Sequence, residues 1–228
     1  MVYLQFGLSN AVTILQAALA VVLFYRGRKE FPLLFAYVFV RAAATIALLV
    51  DFYPLHASGY RSLYWLLDIS LHGFVFALLV HLIRRALVEP RRSILVTGMA
   101  CIVVSVFLSM AVPYHPMLNR WMTGFSRNLS FCEEVLNLVL WGMLVNNRRV
   151  GLRFLLVSAG IGIQVTGDVT GHSLRLFAHS ASFVWAPHLL MNASQILAMV
   201  IWLYAFCRSG ANERYATPLT YATASKAH

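Results

Sequence analysis

The chain has 228 residues, of which 60% are apolar and only 11% carry a charge, and its mean hydropathy is +0.73. Soluble domains are about 45–50% apolar and about 25% charged, so this composition is typical of a protein built for lipid. The apolar stretches leave too few residues for a soluble kinase, enzyme or DNA-binding domain within this sequence.

Seven apolar stretches follow one another, and each is close to the roughly 20 residues that a helix needs to cross a bilayer. They predict an all-α membrane protein, a single seven-transmembrane-helix bundle over residues 1–208, followed by a disordered cytoplasmic tail over 209–228. Because the loops are short, we expect sequential helices to be antiparallel neighbours. The predicted spans are 4–25, 32–53, 62–83, 93–112, 122–145, 154–174 and 182–206.

The basic residues predict the orientation of these spans. The loops after spans one, three and five, together with the tail, hold 13 of the 18 Lys and Arg residues. Short loops rich in Lys and Arg stay in the cytoplasm, so we expect the N-terminus outside and the C-terminus in the cytoplasm of a bacterial inner membrane. A basic surface beside anionic headgroups accounts for the net charge of +10, which makes the lipid bilayer the expected partner and excludes nucleic acid.

Ionisable and amide side chains inside the spans are informative, because a charge in hydrocarbon costs several kcal/mol unless it is paired or hydrated. Residues four apart lie on one face of a helix, so these side chains form polar stripes on several spans. Where such stripes meet at similar depth, we predict a ligand pocket that opens to the outside. Its predicted lining residues are Asp68, His72, Asp168, His172, His188, Asn192 and Gln195.

A buried ion-pair network is predicted beside this pocket. Arg41 lies near the middle of span two, at the depth of two acids in span five. An unpaired cation at that depth is unfavourable, so we expect Arg41 to pair with Glu133 or Glu134, and we place Arg127 in the same network. The simpler interpretation is that such pairs only fix the order of the helices.

Cofactor binding stays open, and no catalytic residue is assigned. Covalent retinal is excluded, because it needs a lysine in the last span and this chain has only Lys29 and Lys226. The zinc-dependent seven-helix hydrolases carry a His-x-x-x-His pair in the last span, where this chain has His188 followed by Asn192. The candidate metal ligands are Asp68, His72, Asp168, His172 and His188, although hydrogen bonding between helices explains the same residues.

One short run resembles a known group of proteins, the small uncharacterised bacterial seven-helix integral membrane proteins. The resemblance covers the first loop and second helix, with the sequence Arg28-Lys29-Glu30-Phe31-Pro32-Leu33-Leu34-Phe35-Ala36-Tyr37. The span pattern is also similar in plan to the seven-helix input domains of bacterial sensor kinases. The resemblance implies a seven-helix fold and no catalytic residues.

Four functions remain open at this point. The favoured one is a ligand-sensing or receptor-like module that binds a small molecule and shifts a helix against a separate cytoplasmic or membrane protein partner. A proton- or ion-coupled small-molecule transporter would use the same carboxylates and histidines as a relay. An intramembrane metal-dependent hydrolase would use Glu133 or Glu134 as its base. A non-catalytic subunit of a membrane complex would use the polar residues for packing alone.

Overall fold

The computed structural model describes residues 2–51, 57–87, 118–146, 151–177 and 185–208, together with residues 97, 99, 100 and 104. Its elements are helices throughout, as expected for chain segments that must satisfy their own backbone hydrogen bonds in lipid. They are α1 (Val2–Arg26), α2 (Pro32–Asp51), α3 (Ala57–Ala86), α4 (Leu118–Asn146), α5 (Leu152–Phe177) and α6 (Trp185–Arg208).

The prediction of a seven-helix bundle is wrong. The described residues form six helices, and four of them, α3 to α6, are long and apolar enough to cross a membrane. The apolar parts of α1 and α2 are Asn10–Arg26 and Pro32–Ala47, which are shorter than the roughly 20 residues of a spanning helix. The sequence analysis had taken each of the seven apolar stretches as a membrane-spanning helix.

Two further predictions are affected by this result. The placement of the two chain ends on opposite sides of the membrane required an odd number of spans, so it no longer follows. The predicted fourth span, 93–112, lies outside the described residues except at the four single positions given above, and the predicted tail, 209–228, lies wholly outside them.

The six helices pack as a closed ring. Each helix contacts the next one in chain order, and α6 contacts α1. Polar contacts show that α3 and α4 run in the same direction. Asp68 contacts Ser126, and His72, one turn later on α3, contacts Glu133, two turns later on α4. These two helices, which correspond to the third and fifth predicted spans, are therefore parallel.

Arginines and one glutamate join the helices at one end of the ring, which we call the basic end. Arg26 of α1 donates hydrogen bonds to carbonyl oxygens in the last turn of α6, including that of Phe206. These carbonyls have no partner within their own helix. Glu30, in the turn before α2, is bonded to Arg153 of α5 and lies 3.8 Å from Arg85 of α3. The basic end thus connects the ends of five helices.

Glycines allow α5 and α6 to approach closely. A Cβ atom added at Gly160 would lie 2.3 Å from Trp202 Nε1, and one at Gly171 would lie 2.3 Å from Met191 Cγ. At Gly167 it would lie 1.9 Å from Oγ and 2.3 Å from Cβ of Ser194. Small residues at such positions are what brings two helix backbones together where no hydrophobic effect operates between them. This contact is the most extensive one in the ring.

We predict that Gly167→Ala lowers the free energy of unfolding by about 1–3 kcal/mol, the usual cost of overpacking. Ser194 is short and close to its own backbone, so it cannot move aside. The control is Gly142→Ala in α4, where an added Cβ meets nothing within 4 Å. Thermal unfolding in detergent should show a lower midpoint for Gly167→Ala only, and Ser194→Gly should restore much of the loss. Equal midpoints for the two alanine variants would contradict this packing.

Candidate functional site

A cavity of about 340 Å³ lies inside the ring, between α1, α2, α3, α5 and α6. We call it the charged cavity, because acidic, basic and imidazole side chains share its wall with a few apolar ones. Its charged and imidazole lining residues are Arg41, Asp68, Asp168, Arg175 and His188. Its volume is in the range of small-molecule sites, about 300–1,000 Å³.

The structure brings together most of the residues predicted for the pocket. Two of them, His72 and His172, do not line the cavity but are buried beside it, 6% and 1% exposed, with their ring centres 6.1 Å apart. The other five line the charged cavity, namely Asp68, Asp168, His188, Asn192 and Gln195.

The predicted pairing of Arg41 with a glutamate is not found among the described residues. The guanidinium of Arg41 donates instead to the hydroxyl of Tyr37, one turn earlier on α2. Its acidic neighbours are Asp168 and Asp68, across the charged cavity. The position of Arg41 along α2 did not predict the direction in which its side chain points, which is towards the cavity lined by α3 and α5.

The two glutamates of α4 have different surroundings. Glu133 is 2% exposed, and its Oε1 lies 3.0 Å from Nδ1 of His72. Glu134 is half-buried on another side of the helix and accepts a hydrogen bond from Thr166. Arg127 donates to its neighbour Asn128 and is not joined to either glutamate within the described helices. The predicted network of Arg41, Glu133, Glu134 and Arg127 is therefore wrong as a unit.

Arg175 is a cavity residue that the sequence analysis missed. The predicted span six ended at residue 174, which placed Arg175 in a loop, whereas α5 continues to Phe177. Its guanidinium lies 3.0 Å from Nδ1 of His188 and 3.4 Å from the hydroxyl of Tyr64. The signal was present in the sequence, because Arg175 follows Asp168 by seven residues and so shares its helix face.

Polar side chains also cross the ring beside the cavity. The amide of Gln164 on α5 donates to the hydroxyl of Tyr37 on α2, and Thr45 donates to Oε1 of Gln16 on α1 at 3.1 Å. Together with the Tyr37–Arg41 bond, these contacts join α1, α2 and α5 through the centre of the bundle. Arg41 is thereby held at the cavity wall.

A compact cluster of three ionisable residues adjoins the cavity at Asp68. We call Asp68, His72 and His172 the Asp–His–His cluster. Asp68 accepts a hydrogen bond of 2.6 Å from Ser126, and its Oδ2 lies 3.9 Å from Nε2 of His72. Within the described residues this is the group whose donor atoms come close enough to hold a metal ion, so the candidate ligands Asp168 and His188 are not part of it.

The arrangement has two distinct chemical capacities. The charged cavity presents guanidinium groups and carboxylates on facing helices, which suits a molecule carrying both signs of charge. The Asp–His–His cluster presents two imidazoles and one carboxylate to a common point, which suits a cation. A second cavity, between α4, α5 and α6, is lined mainly by apolar and small polar residues, and none of its described lining residues is charged.

Comparison with known proteins does not assign the chain to a family. It matches no protein-family model, no curated protein and no solved structure. The function is therefore argued from the cavity and the cluster themselves.

We predict that removing Glu133, the hydrogen-bond acceptor of His72, destabilises the fold, whereas removing the adjacent Glu134 has a smaller effect. Glu133→Ala leaves Nδ1 of His72 buried without that acceptor, which should lower the free energy of unfolding by about 1–3 kcal/mol. Glu133→Gln keeps a carbonyl acceptor and should cost less. Glu134→Ala is the control, since Glu134 is only half-buried. Thermal unfolding of the four proteins tests this order, and a larger loss for Glu134→Ala than for Glu133→Ala would overturn it.

Proposed function

We propose that this protein is a ligand-sensing or receptor-like module of the bacterial inner membrane, which binds a small polar molecule in the charged cavity and acts through a separate protein partner. The observation that carries the proposal is the cavity, in which two guanidinium groups and two carboxylates face a space of about 340 Å³. Packing alone does not require that space, because charges that only fix helix order pair directly with one another.

The charges of the cavity select the class of ligand. Asp168 is 9% exposed and lies within electrostatic range of both Arg41 and Arg175. The amides of Asn192 and Gln195 add donors and acceptors to the same wall. A small zwitterion, such as an amino acid or a betaine, offers an anionic group to the guanidiniums and a cationic group to the carboxylates. A ligand with a single charge would leave half of these groups without a partner.

The arrangement of helices supports a sensing role. The cavity is built from five helices that meet again at the basic end, where Glu30 contacts Arg153 and Arg85. A ligand that draws α2, α3 and α5 together would change these contacts, and a partner protein at that end would sense the change. Coupling of this kind requires only that the ligand binds one arrangement of the helices better than the other.

We predict that zwitterions raise the thermal midpoint of the purified protein in nanodiscs. A ligand at 100 times its dissociation constant stabilises by about 2.7 kcal/mol. The screen compares amino acids and betaines with analogues that keep only the carboxylate or only the ammonium group. Asp168→Asn should abolish the shift, and the matched control Glu134→Gln, which removes an acid outside the cavity, should keep it.

Two outcomes of this experiment would overturn the proposal. One is that no zwitterion shifts the midpoint of the wild-type protein, and the other is that Asp168→Asn keeps the full shift. Transport is the competing function for the same cavity, and it is tested with proteoliposomes. Net uptake of the stabilising zwitterion into the vesicles would show a carrier and not a receptor.

A further inference from the structure

The Asp–His–His cluster has the composition of a metal site. Its three ligand atoms, one from each residue, all lie within 4.8 Å of one another. Two of the residues are on α3 and the third, His172, is on α5. The cluster therefore joins two helices that are not neighbours in the ring. His72 and His172 are buried, and Asp68 keeps partial access to the cavity.

A carboxylate orients His72 for coordination. Its Nδ1 lies 3.0 Å from Oε1 of the buried Glu133, so Nδ1–H donates to the carboxylate and Nε2 is left towards Asp68. Metal-binding histidines almost always donate their other ring N–H to a carboxylate, a carbonyl or water. Glu133 thus occupies the position of an outer-shell partner, on a third helix.

The remaining atoms of the cluster are also positioned for a cation. Ser126 donates to Asp68 at 2.6 Å, which fixes the carboxylate. His172 is 1% exposed, and its Nδ1 has no hydrogen-bond partner among the described residues. A buried polar atom without a partner is uncommon and calls for an occupant such as water or an ion.

We infer that Asp68, His72 and His172 bind a divalent first-row transition metal ion of the zinc class, with Glu133 as the positioning residue for His72. Two imidazoles and one carboxylate favour such ions over Mg²⁺ and Ca²⁺, which prefer oxygen ligands alone. Neighbouring ligand atoms around tetrahedral zinc lie about 3.4 Å apart at bond lengths of 2.0–2.1 Å. The separation of 3.9 Å between Asp68 and His72 is close to this value, so small side-chain rotations complete the site.

The position of the site gives the ion an entry path and an open coordination position. Asp68 belongs to both the cluster and the wall of the charged cavity, so an ion reaches the histidines through the cavity. Three protein ligands leave the fourth tetrahedral position of zinc free, and here it would face the cavity. This inference does not depend on the proposed ligand, because a protein that binds no zwitterion can still bind the metal.

The test starts with the full-length wild-type protein, purified with a tag that contains no histidine and freed of metal by a chelator. Co²⁺ is added in detergent, and the visible absorption is recorded. We expect strong absorption bands of four-coordinate Co²⁺ that saturate at one ion per chain and are removed by Zn²⁺. The inference would be overturned if a well-folded wild-type sample showed no more than the weak absorption of hydrated Co²⁺, whatever the variants do.

Variants then identify the ligands. His172→Ala and His72→Ala should lose the Co²⁺ bands, and Glu133→Gln should weaken metal binding about 10–100-fold, the usual effect of an outer-shell change. His81→Ala is the matched control, since His81 is on α3 as well but outside the cluster. Size-exclusion profiles confirm that each variant is folded. Full Co²⁺ binding by a folded His172→Ala protein, or its loss in His81→Ala, would overturn the assignment.

Discussion

An ionisable side chain inside an apolar environment is stable only when another group or water compensates its charge. This constraint explains the interior of the ring, where the buried acid Glu133 meets His72 and the acid Asp68 meets Ser126. Each of these contacts joins α3 to α4, so the compensation of charge also fixes the parallel pairing of the two helices. Other charged groups, such as Arg41 and Asp168, face the cavity.

The same constraint explains why the helices carry apolar side chains on their outer faces and polar ones towards the interior of the ring. Large apolar side chains are exposed on the outside of the ring, as with Leu66 on α3 and Leu138 on α4, where a soluble protein would carry charges. α5 is the clearest case of a divided helix. Gly160, Gly167 and Gly171 lie against α6, Asp168 faces the cavity, and His172 belongs to the Asp–His–His cluster.

The sequence predicted the helical class and the polar residues of the site, because both follow from local composition and spacing. Asp68, Asp168 and His188 were grouped because they are ionisable and lie within apolar stretches, and the structure places all three on one cavity. Prediction from the sequence failed where it required the direction in which a side chain points from its helix. Arg41 was assigned to the glutamates of α4 but points to Tyr37, since depth alone does not say which neighbour a helix face meets. Arg175 was missed because one extra turn of α5 carries it into the cavity. The count of spans differs because four of the described helices are long and apolar enough to cross a membrane, and because the fourth predicted span lies almost wholly outside the described residues.

Asp68 links the two capacities of the molecule. It lines the charged cavity, and it is also a member of the Asp–His–His cluster. A cationic group bound to its carboxylate competes with a metal ion for the same oxygens, whereas an anionic group that reaches the open position of the metal adds to its coordination. By thermodynamic linkage, a metal that changes the affinity for a ligand is itself bound more tightly or more weakly by the same factor. With the proposed zwitterion, the group that lies beside Asp68 would therefore decide the sign of the coupling, because the two proposed sites share one carboxylate.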